Sequence, residues 1–106
     1  MTERIEKIQS MLLQQPNDLF LNHALALEWI KLGNLENALI AFEKNRNQDA
    51  NYVATYYHLG KLYESLGSND KAIETYEQGM KIARLVSDQH AYSELQGAYE
   101  NLSDEY

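Results

Sequence analysis

Residues 17–49 and 51–83 read as one unit written twice, and this repetition constrains the fold more than any single side chain. At a fixed offset of 34 positions, Asn17 recurs as Asn51, Leu25 as Leu59, Leu32-Gly33 as Leu66-Gly67, Ala38 as Ala72 and Glu43 as Glu77. Between these identities the exchanges are conservative: Ala26 for Gly60, Trp29 for Tyr63, Leu39 for Ile73 and Phe42 for Tyr76. A period of this length marks a stack of supersecondary units, each burying its apolar face against the next.

Each unit predicts two helices. In the first, Phe20, Ala24, Leu27 and Ile30 share one side, and Leu21, Leu25, Trp29 and Leu32 fill a neighbouring strip. A helix apolar over more than half its circumference is one sandwiched between neighbours. Gly33-Asn34 ends it, and a second helix begins near Leu35 with Leu35, Ala38, Leu39 and Phe42 as its stripe. The polar run 45–50 reads as the turn between units. The second unit repeats the plan, with Tyr56, Leu59, Gly60, Leu62, Tyr63 and Leu66 before the stop at Gly67. Ser68-Asn69-Asp70 supplies capping oxygens for a helix striped by Ala72, Ile73, Tyr76, Met80, Ile82 and Ala83. Ala26, Gly60, Ala38 and Ala72 are small where helices cross, and Trp29, Tyr63, Phe42 and Tyr76 fill the space beside them.

Composition narrows the function. A net charge of −7 sets nine basic residues against sixteen acidic ones, which disfavours phosphate backbones and anionic lipid. Cysteine is absent, so disulfides, thiolate metal sites and thiol catalysis are excluded. Met1 to Leu13 lacks the apolar core of a signal peptide, and no run is long enough to span a bilayer. A single cytoplasmic domain over residues 1–106 is expected. There is no Gly-rich phosphate loop and no H-E-x-x-H, and the grouping of Ser87, Asp88 and His90 is local clustering rather than triad geometry. The acid pairs Asp104-Glu105 and Glu74 with Glu77 read as solvated faces. No catalytic residue, small-molecule substrate or cofactor is expected.

At this level of detail the chain resembles the tetratricopeptide repeat family. Tyr56, Leu59-Gly60, Tyr63, Gly67, Ala72 and Tyr76 match its signature in the second repeat, and Leu25-Ala26, Trp29, Gly33, Ala38 and Phe42 match it in the first. The first repeat departs at Asn22, where a large aromatic is usual, and at Ala26, where glycine is commoner. Both repeats lack the closing proline, with Ala50 and Arg84 in its place. Pro16 stands where a preceding repeat would close, so residues 1–15, with Ile5, Ile8, Met11 and Leu12 on one face and Thr2 as cap, resemble half a repeat. Residues 17–50 and 51–84 are the two full repeats, and 87–106 resembles the helix that closes such arrays. Its inward face is Ala91, Leu95, Ala98, Tyr99 and Leu102, and its outward residues are Gln89, Ser93, Glu94, Gln96, Glu100 and Asn101. The resemblance implies an all-α, right-handed superhelix of about six antiparallel helices.

It also implies that the first helix of each repeat lines a concave groove that holds a partner peptide or helix. The partner-facing residues would be Phe20, His23, Ala24 and Leu27 from the first repeat, Tyr57, His58 and Lys61 from the second, and Tyr92 and Tyr99 from the closing helix. For Phe20 and Leu27 the plainer alternative is completion of the core. The family members that grip carboxylate termini use a cationic clamp, and the equivalent positions here are His23, Leu27, His58, Asp88 and Tyr92, which cannot supply it. His23 and His58 lack the further ligands that zinc would need, so no metal is expected, and they offer instead a pH-dependent affinity. The expectation is a non-catalytic protein-interaction module, monomeric or weakly dimeric, with basic or amphipathic partners favoured by its acidity. A small secretion chaperone and a self-associating structural unit are the alternatives.

Overall fold

The computed structural model describes residues 2–105. They form six helices, α1 (Glu3–Gln14), α2 (Leu19–Lys31), α3 (Leu35–Gln48), α4 (Ala54–Ser65), α5 (Asn69–Leu85) and α6 (Gln89–Glu105), and no strand lies among them. The chain gathers into two compact units, one ending at Tyr52 and the other beginning at Val53.

In the first unit, side-chain oxygens start every helix. The Thr2 hydroxyl accepts from the Ile5 amide at 3.1 Å, Asp18 from Leu21 at 2.8 Å and Asn34 from Asn37 at 3.1 Å. Helix α2 stops where Gly33 turns left-handed at φ 77°, with the Asn34 amide donating back to the Trp29 carbonyl at 2.9 Å. The three-residue turn that follows folds α3 back along α2. Ile5 and Ile8 of α1, Ala26 of α2, and Ala38, Ala41 and Phe42 of α3 make the buried core.

Three polar side chains are buried with this core, and each has a use. The Asn22 amide donates to the carbonyls of Pro16 and Asp18, at 3.1 and 3.0 Å, and so fastens the turn that enters α2. Asn45 donates to the Leu19 carbonyl at 2.8 Å, tying the end of α3 to the start of α2. Glu28 meets Arg4 of α1 at 3.2 Å and Lys31 at 3.1 Å. The hydrogen bond from Lys31, above all, holds its carboxyl below the ordinary value. The polar run expected to be a turn is helical as far as Gln48. Its residues have helical work, because Asn45 is buried and Arg46 pairs with Glu43 one turn back at 2.6 Å. Met11, expected on the buried face of α1, is 42 % exposed.

In the second unit, close approach dominates. Gly60 of α4 lies so near Tyr76 of α5 that a methyl there would overlap the aromatic ring. Gly79 of α5 does the same for a second pair of contacts, since its Cβ would fall 2.6 Å from Cβ of Tyr56 and 3.0 Å from a methyl of Leu95 on α6. Tyr56, Leu59, Tyr76, Ala72 and Ala83 are fully buried around these crossings. The Tyr76 hydroxyl, at the far end of its ring, donates to Glu64. Burial first, and that carboxylate second, raise the phenol well above its ordinary pKa.

The turns of this unit repeat the stop seen at Gly33. Gly67 sits at φ 78° and the Ser68 amide returns to the Tyr63 carbonyl at 2.9 Å. After α5 the same motif recurs with Ser87 in the left-handed position, at φ 61°, and the Asp88 amide returning to Ala83 at 2.8 Å. Asp88 then caps α6 by accepting from the Ala91 amide at 3.0 Å. Ser68, in contrast, makes no side-chain cap bond to α5, contrary to the expectation from its position, and only its carbonyl receives the Ala72 amide. Leu95, Ala98 and Leu102 bury α6, as the spacing predicts.

Candidate functional site

The first helix of each repeat keeps an outer strip that the core does not consume. On α2 the strip is Phe20, His23 and Leu27, spaced three and four apart so that they share a face. Phe20 is 69 % exposed, while His23 and Leu27 are half-buried. His23 stands edge-on to Phe42 of α3, ring centroids 5.6 Å apart, and to Tyr52 at 6.1 Å. Desolvation, and secondarily the charge of Asp18, raises the Tyr52 phenol. Packing against two rings fixes the imidazole and makes His23 part of the wall, whereas Phe20 projects from it.

On α4 the strip is Tyr57, His58 and Lys61. Tyr57 and His58 are half-buried and meet edge to face with centroids 5.5 Å apart. The Lys61 ammonium lies 5.9 Å from the Tyr57 ring and 3.8 Å from Glu64. Glu64 is also the acceptor for Tyr76, so one carboxylate connects the buried α4–α5 crossing to the outer strip. Burial pushes the His58 imidazole below its ordinary value, and Glu94 on α6 pulls partly the other way.

Helix α6 therefore contributes to this face through Glu94, which sequence spacing placed on its outer side. Tyr92 lies elsewhere. Its hydroxyl accepts from the Arg84 guanidinium at 2.7 Å, and that group sits over its ring at 4.7 Å, at the turn joining α5 to α6. Tyr99, seven residues on and half-buried, shares the strip of Tyr92 rather than that of Glu94. The structure thus groups Tyr57, His58 and Lys61 on α4, with the charge of Glu94 felt at His58, and sets Tyr92 beside Arg84. The available signal for Glu94 was its three-residue offset from the inward Ala91, which puts it on the border of the buried face.

No cluster of three or more His, Asp or Glu able to bind a metal lies among the described residues. No helix among them is long and apolar enough to cross a membrane. What both strips offer is aromatic and aliphatic surface edged by a few charges, suited to holding another polypeptide.

The tetratricopeptide repeat family model matches residues 53–84. The chain is similar to a tetratricopeptide repeat domain protein of Salinibacter ruber, with 47 % identity over 82 % of this chain and 97 % of that one, and a TM-score of 0.79. A protein of Bordetella parapertussis shares 25 % identity over 99 % of this chain and 91 % of its own, with a TM-score of 0.84. MamA is 28 % identical, covering 95 % of this chain and 55 % of its own length, with a TM-score of 0.74. No curated protein matches the sequence.

Proposed function

Because the chain belongs to the tetratricopeptide repeat family, whose members generally bind proteins and are generally non-catalytic, we propose that it is an interaction module holding a partner peptide or helix. Each repeat offers such a segment the outer strip of its own first helix, Phe20, His23 and Leu27 on α2 or Tyr57, His58 and Lys61 on α4. Repeats 17–50 and 51–84 present those strips, with 1–15 as a leading half-repeat and 87–106 as the closing helix.

One observation carries most weight. Tyr57 and His58 adjoin a tightly closed crossing, yet the crossing is completed by Gly60, Tyr76 and Glu64 without them. Half-buried aromatic surface that the fold does not require is what a partner's side chains would cover. The charge pattern makes a carboxylate-terminated partner unfavourable, since Glu94 borders the strip and Lys61 is already engaged by Glu64. A cytoplasmic, monomeric or weakly dimeric state without client completes the proposal, in keeping with the absence of cysteine.

The test is affinity capture from the source cell with the wild-type chain and with the Tyr57→Ala/His58→Ala variant. Partners retained by the first and lost by the second support the assignment, and partners retained equally by both overturn it. Sedimentation at micromolar concentration separates an adaptor from a self-associating unit, the adaptor being monomeric without its client.

A further inference from the structure

The excess of acid is unevenly placed. Residues 1–52 hold five Lys or Arg against seven Asp or Glu, and residues 53–106 hold four against nine. Within the second unit α6 is the extreme, for it carries Glu94, Glu100, Asp104 and Glu105 and no Lys or Arg at all. Asp104 and Glu105 stand in its last turn, where the partial negative charge of the helix end already disfavours them. None of these four carboxylates takes part in an ion pair among the described residues.

Position matters as much as number. Tyr92 on one flank of α6 sits against Arg84 of α5, so the opposite flank, which holds Glu94, is the one turned toward α4, the other helix that α6 touches. Eleven residues further on, just over three whole turns, Glu105 returns to the same strip. Between them lie Ala98, which is buried, and Asn101, which is exposed, both with short side chains. The two carboxylates are separated by roughly 16 Å along the axis, the span of about five extended residues. Across from them, the cation of α4 is not available to balance this charge, because Lys61 faces Glu64 and the Tyr57 ring.

We propose that the face formed by α4 and α6 takes a cationic segment of a partner protein, with Lys or Arg side chains pairing to Glu94 and Glu105 and an apolar side chain resting on Tyr57. This rests on the proposal above that the α4 strip holds the partner, and it adds what the partner must carry. Charge complementarity selects the occupant. An acidic or neutral segment would leave Glu94 beside a half-desolvated imidazole with no counter-charge, whereas a basic one supplies the missing cation to an unpaired carboxylate and relieves the crowding of acid at the end of α6.

The experiment pans a displayed library of random nonapeptides against the full chain, then measures the enriched sequences as labelled synthetic peptides. The expected winners carry at least two Lys or Arg and one aromatic or aliphatic residue. Their affinity falls at least tenfold in Glu94→Gln/Glu105→Gln, and it falls with added salt. The control, Glu74→Gln/Glu77→Gln on the exposed face of α5, removes the same charge and should change affinity less than threefold. Equal loss in both variants overturns the proposal, because it means diffuse attraction to an acidic protein. Enrichment of neutral or acidic peptides that need Tyr57 but ignore Glu94 also overturns it, leaving the interaction function standing. Absence of any peptide sensitive to Tyr57→Ala/His58→Ala overturns both. Thermal melting of the Glu94→Gln/Glu105→Gln variant at or above wild type confirms that only binding has been altered.

Discussion

The two hairpins α2–α3 and α4–α5 solve one packing problem with different chemistry. In the second, Gly60 lets the Tyr76 ring lie against α4, and Glu64 receives its hydroxyl. The corresponding positions of the first hold Ala26, Phe42 and Ile30, which bring a methyl in place of hydrogen, a ring without a hydroxyl and no carboxylate. The same exchange recurs one layer away. Tyr56 is fully buried against Gly79, and the first hairpin has Asn22 and Asn45 at those places, each hydrogen-bonded to backbone at an end of α2. Residues 34 apart have changed in matched sets. A repeat position is therefore constrained through its partner across the crossing and not by its own residue type.

The heaviest test of this comparison is at the two crossing glycines. Gly60→Ala and Gly79→Ala should each cost about 2–3 kcal/mol by overpacking, although alanine is the better helix former. The mirror change Ala26→Gly should cost only about 1 kcal/mol, set by helix propensity and one lost methyl. Chemical denaturation would measure all three. A cycle sharpens the point: because Glu64 pins the Tyr76 hydroxyl, Tyr76→Phe should free the ring to shift, and the double variant with Gly60→Ala should cost less than the sum of the singles. Strict additivity would mean that the hydroxyl does not hold the ring.

The polar solution of the first hairpin predicts a smaller effect. Asn22→Ala and Asn45→Ala should each lose about 1 kcal/mol, the net worth of the hydrogen bonds removed, and local amide exchange should quicken around residues 16–20. The hairpins also differ in their response to acid. His58 has a folded value below the 6.5 of the free side chain, so the unfolded chain takes up a proton first. Its contribution is intact above pH 6.5 and declines as pH falls below that value toward the folded pKa. Glu28, held below 4.5, keeps its contribution until lower pH. Denaturation between pH 7.5 and 5 should therefore weaken wild type more than His58→Gln, and an identical slope in both would remove His58 from the account.

The smallest expected change is a gain. Ser87 occupies the left-handed stop that glycine fills at positions 33 and 67, so Ser87→Gly should stabilise the chain by about 0.5–1 kcal/mol. A loss would show that the serine side chain contributes something its strained backbone conceals.

Much of this was legible in the sequence. The period identified the helices, the stops at Gly33 and Gly67, the buried Ala38, Ala72, Phe42 and Tyr76, and the cap at Thr2. The misses share a physical origin. Polarity suggested a turn at 45–50, but an asparagine whose amide finds a carbonyl on another helix can be buried within a helix. Ser68 has the composition of a side-chain cap without making the cap bond, because residue type alone does not set the rotamer. Gly79 drew no notice, since a mid-helix glycine acquires meaning only when Tyr56 and Leu95 are seen against it. On the candidate face, Tyr57, His58 and Lys61 were named from the family resemblance, whereas Glu94 required the facing of α6 relative to α4. The 34-residue register breaks in α6, where Ser93-Glu94 stands at the offset of Leu59-Gly60, and this concealed that facing, so that Tyr92 and Tyr99 stood in its place in the sequence-based expectation.

In the second unit, the residues that close the fold and those proposed to face a partner are separate sets. Parallel thermal melts of wild type, Gly60→Ala and Tyr57→Ala/His58→Ala test it most directly. Gly60→Ala should melt lower by roughly 10 °C or more, given about 4–8 °C per kcal/mol for a chain of this size, and the double variant should lose less than half as much. A double variant that melts as low as Gly60→Ala would show Tyr57 and His58 to be part of the core, with no spare surface there for another protein to occupy.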